Sequence, residues 1–580
     1  MTMEIILRDA DDGRWRSFTE PARVIVARRV GEVVGALEEI ELAVEQDGLT
    51  AVGFLSYEAA AAFDSAFRTH QPKDGVPLLC FGLFEGAART SELPFARPGQ
   101  HTIGGWRPTQ SEAAHGESVR RIRDHIARGD TYQVNHTFRL RAPFSGDPRG
   151  LFRDLVRSQP ESFATYLDLG DLVICSASPE LFFRLDGDHL TSKPMKGTAE
   201  RGWSLETDRA QGAWLEASEK NRAENAMIVD MVRNDFGRVA RGGSVEVSRS
   251  FEVERHPTVF QMTSTVEART DASVTEIVGA AFPFASVTGA PKIRTMGLIS
   301  ELENEPRGVY TGAIGIIEPG RKARFSVGIR TAVVDRANGT IEYGVGSGIV
   351  WDSEAEDEYD ECVTKAKILS EPVPEFDLVE TMLWEPDAGY LILDRHLDRL
   401  VGAAEYFERC IHPARIRSDL VSRAEGFGDT SHRVRLLVAA DGSPRIEAFP
   451  LDPKSTAAPV RLGLAAAPVK PEDPFLHFKT TNREVYKTAL DLRPDCKDVL
   501  LWNEHGEVTE STIANLVVSI DGEFVTPPVE CGLLAGTFRA ELLERGEIVE
   551  RIIRVEDLAR AESLHLINSV QRWRDVEWAG

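Results

Sequence analysis

Apolar and polar positions along the chain change periodicity many times, and each change marks an element. Runs rich in β-branched and apolar residues predict strands at 171–178 (D-L-V-I-C-S-A-S), 323–334 (A-R-F-S-V-G-I-R-T-A-V-V), 432–439 (H-R-V-R-L-L-V-A) and 515–520 (N-L-V-V-S-I). Helical spacing predicts one long helix over 206–241, stopped by Gly242 and Gly243, and another over 393–410. At 370–376 the run S-E-P-V-P-E-F sets two prolines one residue apart, which ends the preceding helix and favours an extended link. Beyond it, F-D-L-V-E-T-M-L-W reads as a strand that opens a new unit. The expected division is a first unit at 1–372, a linker at 373–376 and a second unit at 377–580. A stretch rich in Pro, Gly and Ser near 89–116 separates an N-terminal lobe, about 1–110, from a core at 111–370. Both halves mix strands with helices, so the fold class expected is α+β.

A chain of 580 residues exceeds what one hydrophobic core organises, which agrees with two units. With 42% apolar and 27% charged residues, the composition is that of an ordinary soluble enzyme. The formal charge of −25 argues against nucleic acid, which needs clustered Lys and Arg, but leaves room for small anionic substrates held by local positive charge. Cys80, Cys175, Cys362, Cys410, Cys496 and Cys531 are scattered, with no C-x-x-C pair, a pattern suited to a reducing cytoplasm. None sits in a Gly-x-Cys-x-Gly elbow, which speaks against a built-in thiol glutaminase. Residues 1–14 lack the apolar run of a signal peptide, and no stretch reaches the ~20 apolar residues of a membrane helix. The expectation is a cytoplasmic enzyme with no nucleic-acid and no membrane partner.

Chemistry concentrates in a few segments of the first half. After Ser353, the helical run E-A-E-D-E-Y-D-E-C-V-T-K places Glu354, Glu358, Glu361 and Lys365 at spacings of 4, 3 and 4, hence on one face. Spacing alone fits a solvated, salt-bridged surface as well as a site. Around it stand G-D-T-Y-Q-V-N (129–135), S-P-E-L-F-F (178–183), K-P-M-K-G-T (193–198), N-R-A-E-N-A-M-I-V-D-M-V-R-N-D (221–235), S-V-T-G-A-P-K (286–292) and G-S-G-I-V-W-D-S (346–353). Together these resemble the chorismate-utilising enzymes (anthranilate synthase, aminodeoxychorismate synthase component I and isochorismate synthase) over about 53–369.

The resemblance implies an anthranilate-synthase-like, chorismate-binding fold and a set of roles. Glu224 and Glu361 would ligate Mg²⁺ against a substrate carboxylate, with Glu358 as a further ligand, directly or through water. Lys365 would face a carboxylate, and Arg330 would offer it a bidentate fork. Gly346 and Gly348 would admit an anion to backbone amides. His256, Thr288, Gly289 and Tyr310 would line the ring pocket, although His256 taken alone reads as a structural histidine. Lys196 stands where the aminodeoxychorismate synthase branch carries a lysine nucleophile and anthranilate synthases carry Ala; Lys193 is its nearest competitor. A lysine attacking C2 of the ring can expel the C4 hydroxyl and hold the ring until ammonia enters. Glu180, sixteen positions before Lys196, matches the general acid for that hydroxyl.

The second half carries L-D-R-H-L-D-R-L (393–400), K-T-T-N-R (479–483), T-E-S-T-I-A-N-L (509–516) and L-L-A-G-T-F-R (533–539). These resemble the fold-type IV pyridoxal-phosphate enzymes, which include D-amino-acid and branched-chain transaminases and aminodeoxychorismate lyase. By that resemblance Lys479 would form the Schiff base and shuttle a proton, Glu510 would bind the pyridine nitrogen, and Arg399 would hold the phosphate. Backbone amides of Thr537 and Phe538, after Gly536, would complete the phosphate site. Phe538 stands where many transaminases carry a hydroxyl, which favours a lyase. A homodimer through this unit is a further implication. The two resemblances together imply synthesis of 4-aminobenzoate toward folate: Mg²⁺-dependent amination of chorismate at C4, then pyridoxal-phosphate-dependent loss of pyruvate. Ammonia would come from a separate glutamine amidotransferase subunit. The competing expectation is an anthranilate synthase joined to a transaminase-like domain, and Lys196 with K-x-x-N-R speaks against it.

Overall fold

The computed structural model describes all residues except 1–2, 11, 96–98, 161, 367–368, 370–373 and 452–458, so the start of the expected linker lies outside the described residues. The chain forms two compact units, one of Met1–Glu200 with Gly212–Val373, the other of Arg201–Gln211 with Pro374–Gly580.

Two large antiparallel sheets, of eleven and ten strands among the described residues, build the first unit. The strand Glu4–Arg8 shows how side-chain alternation feeds two cores at once. Ile5 and Leu7 join Phe18, Val52, Phe54, Phe84 and Ile316 in a core shared by both sheets, whereas Ile6 turns the other way, toward Phe152, Tyr166 and Val173. In one sheet the strand Gln133–Gly146 pairs along most of its length with Thr340–Ile349. In the other, Met195–Glu200 pairs with Val259–Arg269.

Two elements differ from the sequence expectation. The run 323–334 is two strands, Lys322–Val327 and Thr331–Asp335, lying in different sheets. A Cβ on Gly328 would stand 2.3 Å from Val309 O, so only glycine fits the crossover, and Arg330 turns there with φ of +50°. Apolar character continues through the switch, which hides it from pattern reading. The expected helix 206–241 is likewise two, Leu205–Ala217 and Glu219–Gly237. Ser218 separates them by capping the second, its hydroxyl accepting from Asn221 N–H.

In the second unit a four-stranded sheet orders Gly389–Tyr390, Leu378–Glu385, His432–Val438 and Pro444–Pro450, and an eight-stranded sheet lies beside it in sequence. The helix Leu393–Tyr406 packs Leu397, Leu400 and Ala404 against Leu378, Met382 and Leu436. It ends before the expected 410, and Glu408 follows with φ of +53°. Among the described residues no helix is long and apolar enough to cross a membrane.

Candidate active sites

In the first unit the predicted residues gather where the strands 133–146 and 340–349 meet the strand Met195–Glu200. Gly348 marks the centre: a methyl placed on it would stand 2.6 Å from Lys196 Nζ and 2.5 Å from Gln133 Nε2. Lys196 is half-buried, and burial lowers its basicity, with Glu224, Lys365, Glu361 and Glu180 all within electrostatic reach of its amine. Glu180 is buried, and burial pushes its carboxyl up to about 7 although Met195 N–H donates to Oε1 at 3.1 Å. Lys193, the competing amine, is spent in an ion pair with Glu254, whose Oε1 also accepts from Thr263 Oγ1. Lys196, by contrast, has Glu180 within electrostatic reach.

The helix Ala355–Ala366 supplies the charged side of this site. Glu361 pairs with Lys365 at 2.5 Å, Lys365 Nζ donates to Gly346 O at 2.9 Å, and Arg330 Nη1 donates to Lys365 O at 2.9 Å. Burial pushes Glu224 and Glu358 above the usual carboxylate range; it is also the largest influence on Glu361, but Lys365, Lys196 and Arg330 together outweigh it and hold that carboxyl low. Acidic and cationic groups are thus linked to one another near Lys196.

In the second unit Lys479 is half-buried, and burial together with the Arg399 charge lowers its amine to about 8. Glu510 is pushed up to about 7 by burial, against a 2.8 Å bond from Tyr486 Oη and a 3.2 Å bond from Leu534 N–H. Asn515 Nδ2 bridges Glu510 Oε2 and Leu534 O at 3.1 and 2.9 Å, tying the glutamate to the loop that leads to Gly536. A Cβ on Gly536 would meet Asn515 Oδ1 at 1.9 Å, so a side chain there would have to displace the Asn515 amide from its bonds to Glu510 and Leu534. Arg399 donates twice to buried Glu380, at 2.8 and 2.7 Å, and Nη1 reaches Ala535 O at 3.1 Å. This places its guanidinium at the start of the helix Thr537–Glu544, where free backbone N–H groups collect.

A family model described as chorismate binding enzyme matches residues 3–371, more than half of the chain. The chain belongs to that family. A second model, amino-transferase class IV, matches residues 377–577, the fold of the second unit. Aminodeoxychorismate synthase component 1 of Salmonella typhimurium is 37% identical over 319 residues, 54% of this chain and 70% of that one. Anthranilate synthase component 1 of Aquifex aeolicus is 38% identical over 271 residues, covering 46% of this chain and 54% of that one. The solved structure of anthranilate synthase component I from Streptococcus pneumoniae matches with a TM-score of 0.54 at 25% identity, over 64% of this chain and 92% of that one. Relatives of both activities match alike, so likeness alone does not choose between them.

Four of the residues expected to line the pocket of the chorismate-binding unit act through backbone or lie further off. Thr288 spends its hydroxyl on Phe284 O and Ala285 O, while its carbonyl accepts from Asn135 N–H. Gly289, at φ of +135°, packs so closely that a Cβ would stand 2.1 Å from Gln133 O; the pair thereby fixes the strand of Gln133. Tyr310 is buried against Gly344 and the Arg139 guanidinium, 5.0 Å from its ring centre. His256 sits at a hairpin turn beside Glu254, with 4.0 Å between Nε2 and Oε2. Phe538 packs its ring into a core with Val517 and Leu542, leaving only its amide for a ligand. Sequence reasoning passed over Gln133, Asn225, Tyr486 and Asn515. Asn225, next to Glu224, bonds Lys196 O at 3.2 Å and so ties the helix of the acid to the strand of the amine. Each lies inside or beside a quoted motif, and that proximity was the available signal.

Proposed function

We propose that the first unit aminates chorismate at C4 to 4-amino-4-deoxychorismate and that the second eliminates pyruvate from it to give 4-aminobenzoate. The observation that carries this reading is Lys196, an amine of lowered basicity sharing one space with Glu180, Gln133 and Gly348. An amine so disposed is nucleophilic without a separate base. Its attack at C2 forms the Nζ–C2 bond as both ring double bonds shift one position, toward C6 and then C4, and the C4–O bond breaks. Glu180, poised at about 7, gives the departing hydroxyl its proton, and water leaves. Ammonia then bonds at C4, the shift reverses, and the C2–Nζ bond breaks to restore Lys196. Gln133 Oε1, buried without a hydrogen-bond partner, is an acceptor within this space for the incoming ammonia. The ammonia is supplied by a separate glutamine amidotransferase subunit.

Glu224, Glu358 and Glu361 are the residues that would hold Mg²⁺; carboxylate oxygens are its preferred donors. Among the described residues no three acidic, histidine or cysteine side chains already stand in metal-coordinating geometry. What fits the ion is the donor set: two acids raised in pKa by burial and a third charged one. The ion would supply positive charge opposite a substrate carboxylate, alongside Arg330 and Lys365.

The second unit fits pyridoxal phosphate on three counts: an amine at about 8, a buried acid at about 7, and Arg399 beside a helix start that opens with Gly536. When bound, the cofactor supplies an electron sink that acidifies the hydrogen on the ring carbon bearing the amino group. Lys479 takes that proton, and C3–O cleavage then releases pyruvate and leaves an aromatic ring. Glu510 holds a proton at the pyridine nitrogen. The decisive experiment incubates the chain with chorismate, Mg²⁺ and ammonium, with and without pyridoxal phosphate. The expected product is 4-aminobenzoate with the cofactor and 4-amino-4-deoxychorismate without it, and Lys196→Ala should yield neither. Formation of 2-aminobenzoate would refute the reading.

A further inference from the structure

Residues Arg201–Gln211 lie far upstream of the second unit in sequence, yet they are built into it. Arg201 grips Asp208 through Nε and Nη2 at 2.6 and 3.1 Å, and Nη2 also donates to Tyr406 O at 2.7 Å. Both partners of this ion pair are withdrawn from water, with side chains 7% and 0% exposed, which no adventitious surface contact would show. Tyr406 Oη returns a 2.8 Å bond to Gly202 O, Leu205 packs on the core that holds Leu397 and Phe478, and Arg209 forks onto Glu405 at 2.8 and 2.6 Å.

Two of these contacts end on the residues immediately before Lys479. The Trp203 and His477 rings lie 4.5 Å apart between centres. The Tyr406 ring has the Arg201 guanidinium 4.4 Å from its centre and the Phe478 ring stacked on it at 4.2 Å. His477 is therefore held directly by Trp203, and Phe478 by Tyr406, whose ring also carries Arg201; Lys479 is the next residue. Lys479 O then accepts from Val379 N–H, which anchors the other side. The sequence motif K-T-T-N-R begins after this anchorage and gives no sign of it.

We propose that Arg201–Gln211 is a strap that positions Lys479. Trp203 acts through His477, and Arg201 acts through Tyr406 and Phe478, to fix the backbone that presents the amine. Neither touches substrate or cofactor; both are positioning residues. The strap follows the strand Met195–Glu200 directly in sequence. A lyase unit delimited at 377–580 is on this account an incomplete one.

The inference borrows the assigned role of Lys479 for one of its two readouts, and the other is independent of that role. In the full chain, Trp203→Ala should speed hydrogen exchange of the amides at 475–480 and weaken pyridoxal-phosphate binding tenfold or more. The pH titration of the cofactor absorption band should shift as well. Trp203→Phe should restore most of both, and the rate of chorismate amination should not move. If Trp203→Ala unfolds without cooperativity, Trp203→Leu, which keeps apolar volume without the ring, replaces it under the same criteria. Exchange rates and affinity equal to those of the unaltered chain would overturn the strap. Failure of the unaltered chain to bind pyridoxal phosphate would instead remove the reading of Lys479, with the exchange measurement still deciding the strap.

Discussion

Gly348→Ala is the sharpest test of where the first reaction occurs. The added Cβ would stand 2.6 Å from Lys196 Nζ and 2.5 Å from Gln133 Nε2, whereas ordinary contacts begin at 3.4 Å. Both intruding atoms are tips of flexible side chains, so the fold can absorb the methyl at a cost of about 1 kcal/mol. What it cannot keep is the position of the amine, which must retreat by about 1 Å to regain normal contact, a displacement worth about 100-fold in rate when reacting atoms are involved. That corresponds to about 2.7 kcal/mol of activation free energy. The assay is steady-state formation of 4-amino-4-deoxychorismate from chorismate, Mg²⁺ and ammonium, with thermal unfolding as the control for folding. The expected result is a kcat lowered about 100-fold with KM changed only a few-fold, because the carboxylate-gripping groups Arg330 and Lys365 stay in place. A folded Gly348→Ala protein with kcat within about twofold of the unaltered chain would refute the placement of Lys196 as nucleophile.

Gly346→Ala should behave differently, because its Cβ would meet His136 O and Thr137 Cγ2 at 2.6 Å, atoms that cannot swing away; a loss of about 2 kcal/mol in stability, read as a lowered unfolding midpoint, is expected. Glu180 is raised to about 7 and serves as an acid only when protonated, so amination kcat/KM should fall as pH rises through that value, and Glu180→Gln should be slow with no such step. Since the folded state holds this proton more tightly than the unfolded one, its contribution to stability is complete below the ordinary carboxylate pKa and disappears as pH rises through about 7. Tyr486→Phe removes a 2.8 Å donor that holds Glu510 down, so the Glu510 pKa should climb above about 7 and pyridoxal phosphate should bind about tenfold more weakly, as a lost bond to a buried charge would dictate. An unchanged pH titration of the cofactor absorption band in that variant would count against Glu510 at the pyridine nitrogen.

Residue types were legible in the sequence far more readily than the surroundings that set their behaviour. The motifs around Lys196, Glu361, Lys479 and Glu510 were legible through their family resemblance, since spacing alone fitted a solvated surface as well as a site. The crossover at Gly328–Arg330 was not, since a strand leaving one sheet for another keeps the same alternation, and only a backbone contact 2.3 Å from a missing Cβ shows why glycine stands there. Ser218 failed as a signal for a related reason: within a polar stretch of helical spacing, a serine that caps is indistinguishable from one on an exposed face until its hydroxyl is seen accepting Asn221 N–H. Tyr310 and Thr288 illustrate the converse. Their types suit a ring pocket, yet one is packed against Arg139 and the other has its hydroxyl bonded to carbonyls three and four residues back.

The contrast between Lys193 and Lys196 carries the physical argument furthest. Three residues apart on consecutive strands of one sheet, the two amines are told apart in the sequence only by family resemblance. Glu254 neutralises one in a formed ion pair, which ties its charge in place and makes it a poor nucleophile. The other meets its acids only at a distance, through burial that disfavours its charge and a glycine that leaves it space to reach a ring. Lys479 reaches the same condition by another route, with burial reinforced by the like charge of Arg399 in place of a missing partner. On the proposed roles of Lys196 and Lys479, a carboxylate introduced within bonding distance of either amine should silence it more completely than an apolar substitution of equal size.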